Sequence, residues 1–421
     1  MLKTKIKLDI HPMQLCFAIV LMMLPMTIIF QKYTGINAFD YLDELWSIFC
    51  VVYVFITLIR RNIKRNDVIF IVLVLICAFF GIMGNIIYNV IDDWFSIAVD
   101  MLCLFKVFFP FIVMKYIGQK DKDLYIARYM LPFAKILIII STIFGFLTQL
   151  GYTDMYLGDD RYGMKPYYFI FDIEPRFGYI IACCMLVVLL IEKNRTKENI
   201  YTLLGIINLI FTTKGAVYVI IVCYIGFLIL WRKTNKMTLV QAAPLGVAGA
   251  VVSMFQIRTY LSNAETPRML FLKYGFVTAN NYFPLGSGFA TYGSDMAGRL
   301  YSPLYYRYGF HKIYGLNPRQ RFFITDCYYA MIFGQFGYIV AAIFIILMVI
   351  MFLQINSINI PKKAKAFTLA MFIGLIISGL GSALIKMNIG VLAMSMIGLI
   401  CGYSKHNYEK EYTGSKLNIH I

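Results

Sequence analysis

Residues 327–355 read CYYAMIFGQFGYIVAAIFIILMVIMFLQI, a run without one charged side chain. A membrane span needs about 20 consecutive apolar residues, so this run crosses a bilayer with length to spare. The same pattern recurs outward from it. Further apolar runs lie at about 13–31, 42–59, 67–90, 94–117, 129–150, 175–192, 199–212, 215–231, 237–257, 364–385 and 387–403, which makes twelve predicted spans. Composition agrees, with 421 residues, 60% hydrophobic, 14% charged and mean hydropathy +0.72. An ordinary soluble domain carries about 25% charged residues. A soluble enzyme, a disordered chain and a nucleic-acid binder are therefore excluded, despite a net charge of +17. The expected fold is all-α: one polytopic transmembrane helical bundle over 1–421.

Lysine and arginine in the short loops set the expected orientation. One set of loops carries Arg60, Arg61, Lys64 and Arg65, then Arg232, Lys233 and Lys236, then Lys362, Lys363 and Lys365. The alternate short loops carry far fewer cations, among them Lys32, Arg161, Lys165, Arg176, Lys214 and Lys386. Both termini are expected on the cytoplasmic side. The start of the chain is basic (Lys3, Lys5, Lys7), but no small-x-small cleavage site follows the apolar run, so it reads as a retained first span. The cysteines lie in apolar runs and no CxxC pair exists, so they read as small core residues rather than a disulfide framework.

Three segments carry chemistry. The run 199–231 is too long for one span and short for two, and Thr212-Thr213-Lys214-Gly215 is its only break. Two short helices meeting there put Lys214 at the outer headgroup level or below, where a cation is costly and usually has a task or a partner. A smaller outer loop covers 151–176. The large loop 258–321, between the ninth and tenth spans, has eight cations against two acids, six of the cations being arginine. Long loops escape the positive-inside rule, so topology does not explain that charge. Arginine suits bidentate binding of phosphate oxygens; anionic headgroups are the alternative counter-charge. The loop is also rich in tyrosine (Tyr301, Tyr305, Tyr306, Tyr308, Tyr314), which packs on sugar faces and on bilayer interfaces alike. Short surface helices are expected within it.

The stretch Asn281-Tyr282-Phe283-Pro284-Leu285-Gly286-Ser287-Gly288-Phe289 resembles the Pro-x-Gly-x-Gly segment of O-antigen polymerases and ligases. Arg161-Tyr162-Gly163, Thr212-Thr213-Lys214-Gly215 and Thr325-Asp326-Cys327-Tyr328-Tyr329 with Gln335-Phe336-Gly337 follow in that superfamily's order. The resemblance covers roughly 130–400. It departs at Lys214, where arginine is usual, and at Asp326, where ligases have histidine; the second departure favours polymerase.

The resemblance implies a type C glycosyltransferase-like bundle in the bacterial inner membrane. Its donor would be an undecaprenyl-pyrophosphate-linked oligosaccharide, joined to a sugar hydroxyl of a second unit to build O-antigen, capsule or exopolysaccharide. A glycan ligase and a lipid-linked glycan flippase are the alternatives. Membrane lipid is an expected partner, a chain-length regulator an optional one, and nucleic acid none. The departing pyrophosphate needs cations where charge develops; Arg161, Arg176, Lys214, Arg258, Arg268 and Arg299 are the candidates. The attacking hydroxyl calls for a general base, with Asp326 first and His311 second. Pro284, Gly286 and Gly288 form the loop motif. No cofactor and no metal are expected: Asp92-Asp93 and Asp159-Asp160 lack a surrounding ligand set.

Overall fold

A computed structural model of the chain describes residues 11–60, 63–231 and 266–417. Helix follows helix, and no strand occurs among the described residues. The helices are α1 (Pro12–Met23), α2 (Thr27–Thr34), α3 (Leu42–Ile59), α4 (Arg65–Tyr88), α5 (Trp94–Lys120), α6 (Tyr125–Gln149), α7 (Glu174–Ile191), α8 (Arg195–Phe211), α9 (Gly215–Leu230), α10 (Pro267–Asn281), α11 (Asp295–Leu300), α12 (Pro303–Arg307), α13 (Tyr328–Asn356), α14 (Lys362–Ser378) and α15 (Asn388–Leu417). Among them α1 joined to α2, α3, α4, α5, α6, α7 and α13 give 7 segments long and apolar enough to cross a membrane. The apolar helices Gly215–Leu230 and Asn388–Ser404 are shorter. The chain is a multi-pass helical membrane protein. The predicted span at 237–257 lies outside the described residues.

Two expected boundaries move. The run 199–231 divides at residues 212–214 into α8 and α9, as its one break suggests. Asn194 starts α8 earlier than the hydropathy does, its side chain accepting from the Thr196 and Lys197 amides. The 17 and 16 residues of the two helices then each rise about 25 Å. The run 364–385 ends early, because Gly379 and Gly381 close α14 in a turn that leads through a 3-10 segment (Leu384–Lys386) into α15.

Helix α5 is the axis of the bundle, buried without a break from Leu104 to Gly118. It packs on α15 through glycines. A Cβ on Gly398 would lie 2.2 Å from the Phe111 carbonyl oxygen, and one on Gly402 would lie 2.0 Å from that of Lys115. This small-xxx-small approach lets two backbones touch where lipid supplies no hydrophobic drive. The buried charges on α5 are each met by a neighbour. Lys106 Nζ lies 2.9 Å from Asp43 and 2.5 Å from Glu44 of α3, and Lys115 Nζ lies 2.5 Å from Asp67 of α4. Lys106 is therefore the member of a buried ion pair. Lys135 pairs with Glu192.

The segment after α10 enters the bundle. Gly286 (φ +80) and Gly288 (φ +94) lie between α4 and α13, where a Cβ would meet the Gln335 carbonyl at 2.4 Å and the Asn85 amide nitrogen at 2.5 Å. Asn85 brackets Phe289, its Nδ2 donating to the Phe289 carbonyl (2.9 Å) and its Oδ1 accepting from the Phe289 amide (2.7 Å). Asp100 of α5 accepts from the Ala290 amide (2.6 Å) and from Gln335 Nε2 (2.7 Å). Helix α13 kinks where it receives this insert, Gly337 standing at φ 69 and ψ −168. Above the insert, Phe271, Tyr292, Tyr305 and Phe310 make a second apolar core within the loop.

Candidate functional site

The face of the bundle that bears the loops gathers the charges. It is built first by a tight hairpin. Arg161 and Met164 exchange both backbone hydrogen bonds, at 2.9 and 3.0 Å, across Tyr162 (φ 55) and Gly163 (φ 73). Two successive left-handed residues make a type I′ turn, and glycine supplies the second at no steric cost. The hairpin is tied down by Tyr167, whose amide donates to the Phe211 carbonyl at the end of α8 (2.9 Å) and whose hydroxyl donates to that of Ser141 (2.8 Å). Gln149 holds Lys165 through both amide atoms. Arg161 is thereby presented beside the turn between α8 and α9.

That turn carries Lys214, preceded by the buried Thr212 and Thr213. Both cations meet at Glu174, the first residue of α7. Lys214 Nζ lies 3.5 Å from Glu174 Oε1 and Arg161 Nη1 lies 4.0 Å from it. The Glu174 side chain is 2% exposed and that of Lys214 17%. Neither contact is a hydrogen bond: Glu174 Oε1 and Arg161 Nη1 are both buried without a hydrogen-bond partner among the described residues. Arg176 follows two residues after Glu174 and reaches the Phe171 carbonyl at 3.5 Å. Tyr162 stands against Tyr218 of α9, ring centroids 6.1 Å apart, as an aromatic edge to the cluster.

The second half comes from the large loop. Arg268 in the first turn of α10 grips Asp326, Nε at 3.0 Å and Nη2 at 2.5 Å from the same carboxylate oxygen. Asp326 does not cap α13. Cys327 holds that position, and no side chain caps it. Burial pushes the Asp326 carboxyl above the ordinary carboxylate value, against the opposing pull of Arg268 and then of Lys214. Lys214 thus pairs with Glu174 and lies within electrostatic reach of Asp326, which relates Arg161, Glu174 and Lys214 to Asp326 and Arg268.

The remaining candidates fall elsewhere. Arg258 lies outside the described residues. Arg299 is exposed on α11 and belongs to another set, in which Lys386 pairs with Asp295 at 3.1 Å. Lys386 first, and Arg299 more weakly, hold Asp295 below the ordinary carboxylate value. His311 follows Phe310 in a 3-10 turn beside Tyr306, its Nδ1 without a hydrogen-bond partner among the described residues. Pro284 is exposed, whereas Gly286 and Gly288 are buried in the insert. Their surroundings explain the two glycines by backbone contact alone. Among the described residues no group of three or more His, Cys, Asp or Glu side chains is placed to hold a metal ion.

Glu174 is the residue that sequence reasoning passed over as a member of the cation site. Its one signal was an acid at the mouth of an apolar run, beside Pro175 and two residues before Arg176. Chemically the group is a set of cations around two carboxylates, Glu174 buried and Asp326 partly exposed, suited to receive an anion. No protein-family model matches the chain, and no curated protein matches it.

Proposed function

We propose that the protein is a polymerase of undecaprenyl-pyrophosphate-linked oligosaccharide repeat units. It would act at the outer leaflet of a bacterial inner membrane, with both termini cytoplasmic and twelve spans in a type C glycosyltransferase-like arrangement. One observation carries this reading: Arg161, Lys214 and Arg268 come from three separate segments and gather round Glu174 and Asp326 at the loop face. Three cations against two acids leave the group net positive, as an anion site requires. The order of the sequence motifs supports the same assignment, because Arg161, Lys214 and Asp326 each come from one of them.

In this reading the cations stabilise the departing lipid pyrophosphate as charge develops on it. The acceptor hydroxyl attacks the anomeric carbon, the carbon–oxygen bond to pyrophosphate breaks, and the hydroxyl proton passes to a base. Asp326 is the first candidate for that base, since burial already favours its protonated form. Tyr162 and Tyr218 offer ring faces to sugar.

The test is purified full-length protein with lipid-linked repeat units. A ladder of longer glycans on the lipid is expected. Transfer to a lipid A acceptor without a ladder would mean a ligase, and movement between leaflets without any new linkage would mean a flippase.

A further inference from the structure

We infer that Glu174 is a positioning residue of the anion site, holding Arg161 and Lys214 side by side while leaving their N–H groups for phosphoryl oxygens. The inference rests on the pyrophosphate reading of this face and adds to it the part that assembles the cations.

Two cations placed beside one another in a poorly solvated site repel, and without a counter-charge they move apart. Glu174 is the counter-charge. It stands at the first position of α7, immediately before Pro175, with its side chain 2% exposed. Its Oε1 lies between the ammonium and the guanidinium at 3.5 and 4.0 Å. A carboxylate serving only to lock the fold would be expected to take short, directed hydrogen bonds from such neighbours, as Asp67 does from Lys115 at 2.5 Å. Glu174 Oε1 takes none among the described residues, and neither does Arg161 Nη1 satisfy its own hydrogen. Groups this buried are normally satisfied. The oxygens of an arriving anion would accept from the Arg161 Nη1 that Glu174 leaves free. Glu174 itself stays behind the cations and does not touch the reacting atoms.

Simple charge summation argues the opposite outcome. Removing Glu174 raises the positive charge of the site by one, which on its own would tighten anion binding. The two effects have opposite sign, so one measurement separates them. Inorganic pyrophosphate is titrated by calorimetry into the full-length protein in lipid nanodiscs, at fixed ionic strength. Glu174→Gln is expected to weaken binding about tenfold or more, the scale of loss when charged groups shift by about an ångström. Glu174→Asp keeps the charge one methylene shorter and should recover part of the affinity, which also guards against a glutamine variant that fails to fold. Lys214→Gln should weaken binding too. Adding Glu174→Gln to it should cost clearly less than Glu174→Gln costs alone, because Glu174 acts through Lys214. Equal or tighter binding by Glu174→Gln, or strictly additive losses, would overturn the positioning role and leave the anion site standing. A wild-type protein that binds no pyrophosphate would overturn the anion site and this assignment together.

Discussion

Lys214 and Asp326 were visible as single residues, one as the only break in a long apolar run, the other as an acid at the mouth of a span. What each touches was not visible, since Glu174 lies 40 residues from Lys214 and Arg268 lies 58 residues from Asp326. Nothing local in the sequence encodes such pairs. The pairing sharpens two predictions. Lys214→Ala should lower transfer by about 10² to 10³-fold, the usual loss of one preorganised donor to a developing anion. Lys214→Arg keeps the charge over Glu174 and should lose much less; initial rates on lipid-linked substrate decide. Asp326→Asn should abolish transfer if Asp326 takes the proton. The wild-type rate should then rise with pH through a value above that of an ordinary aspartate, because burial raises this pKa. Full-length polymer from an Asp326→Asn strain, with normal protein levels, would remove Asp326 from the chemistry.

At the scale of elements, the stretch 284–289 carries the expected loop motif and lies in the bundle as an insert. Sequence shows the glycines but not the backbones they meet, and those backbones come from α4 and α13. Gly286→Ala and Gly288→Ala each need a side chain at positive φ and against main-chain atoms, so each should destabilise by at least about 2 kcal/mol. Thermal unfolding in detergent measures this, with Gly309→Ala as the control: it shares a positive φ of 73 but has open space around it. The clasp of Asp295 on Lys386 adds a pH dependence. Asp295 is held below its unfolded value, so its contribution is present above the ordinary carboxylate range and is lost as pH falls through the lowered value. Asp295→Asn should flatten part of the stability loss seen on acidification below about pH 4. Asp326 has the reverse sign: its raised pKa favours the folded state at acid pH, and that contribution is lost as pH rises through the raised value.

For the molecule as a whole, hydropathy located the long apolar helices within the described residues, because a bilayer allows few alternatives to a closed hydrogen-bonded helix, but it did not locate α10, α11 and α12 of the large loop. It could not show that α5 is the axis, since burial in protein and burial in lipid select the same apolar side chains. Orientation rests on the loop cations, and impermeant maleimide applied to intact cells tests it. A cysteine at Tyr314, exposed on the loop face, should label, and one at Lys193, exposed at the opposite end, should not. The insert also has a consequence for synthesis. Asp100 enters the membrane with α5, yet the Ala290 amide and the Gln335 side chain that complete its hydrogen bonds follow 190 and 235 residues later. At a ribosomal pace of about 5–20 residues per second, this acid waits on the order of 10–50 s beside lipid or translocon. The nascent chain must shelter an unfinished polar pocket for that interval, so an insertase that holds early helices together should raise the yield of this protein more than that of a bundle whose polar contacts all close between neighbours in sequence.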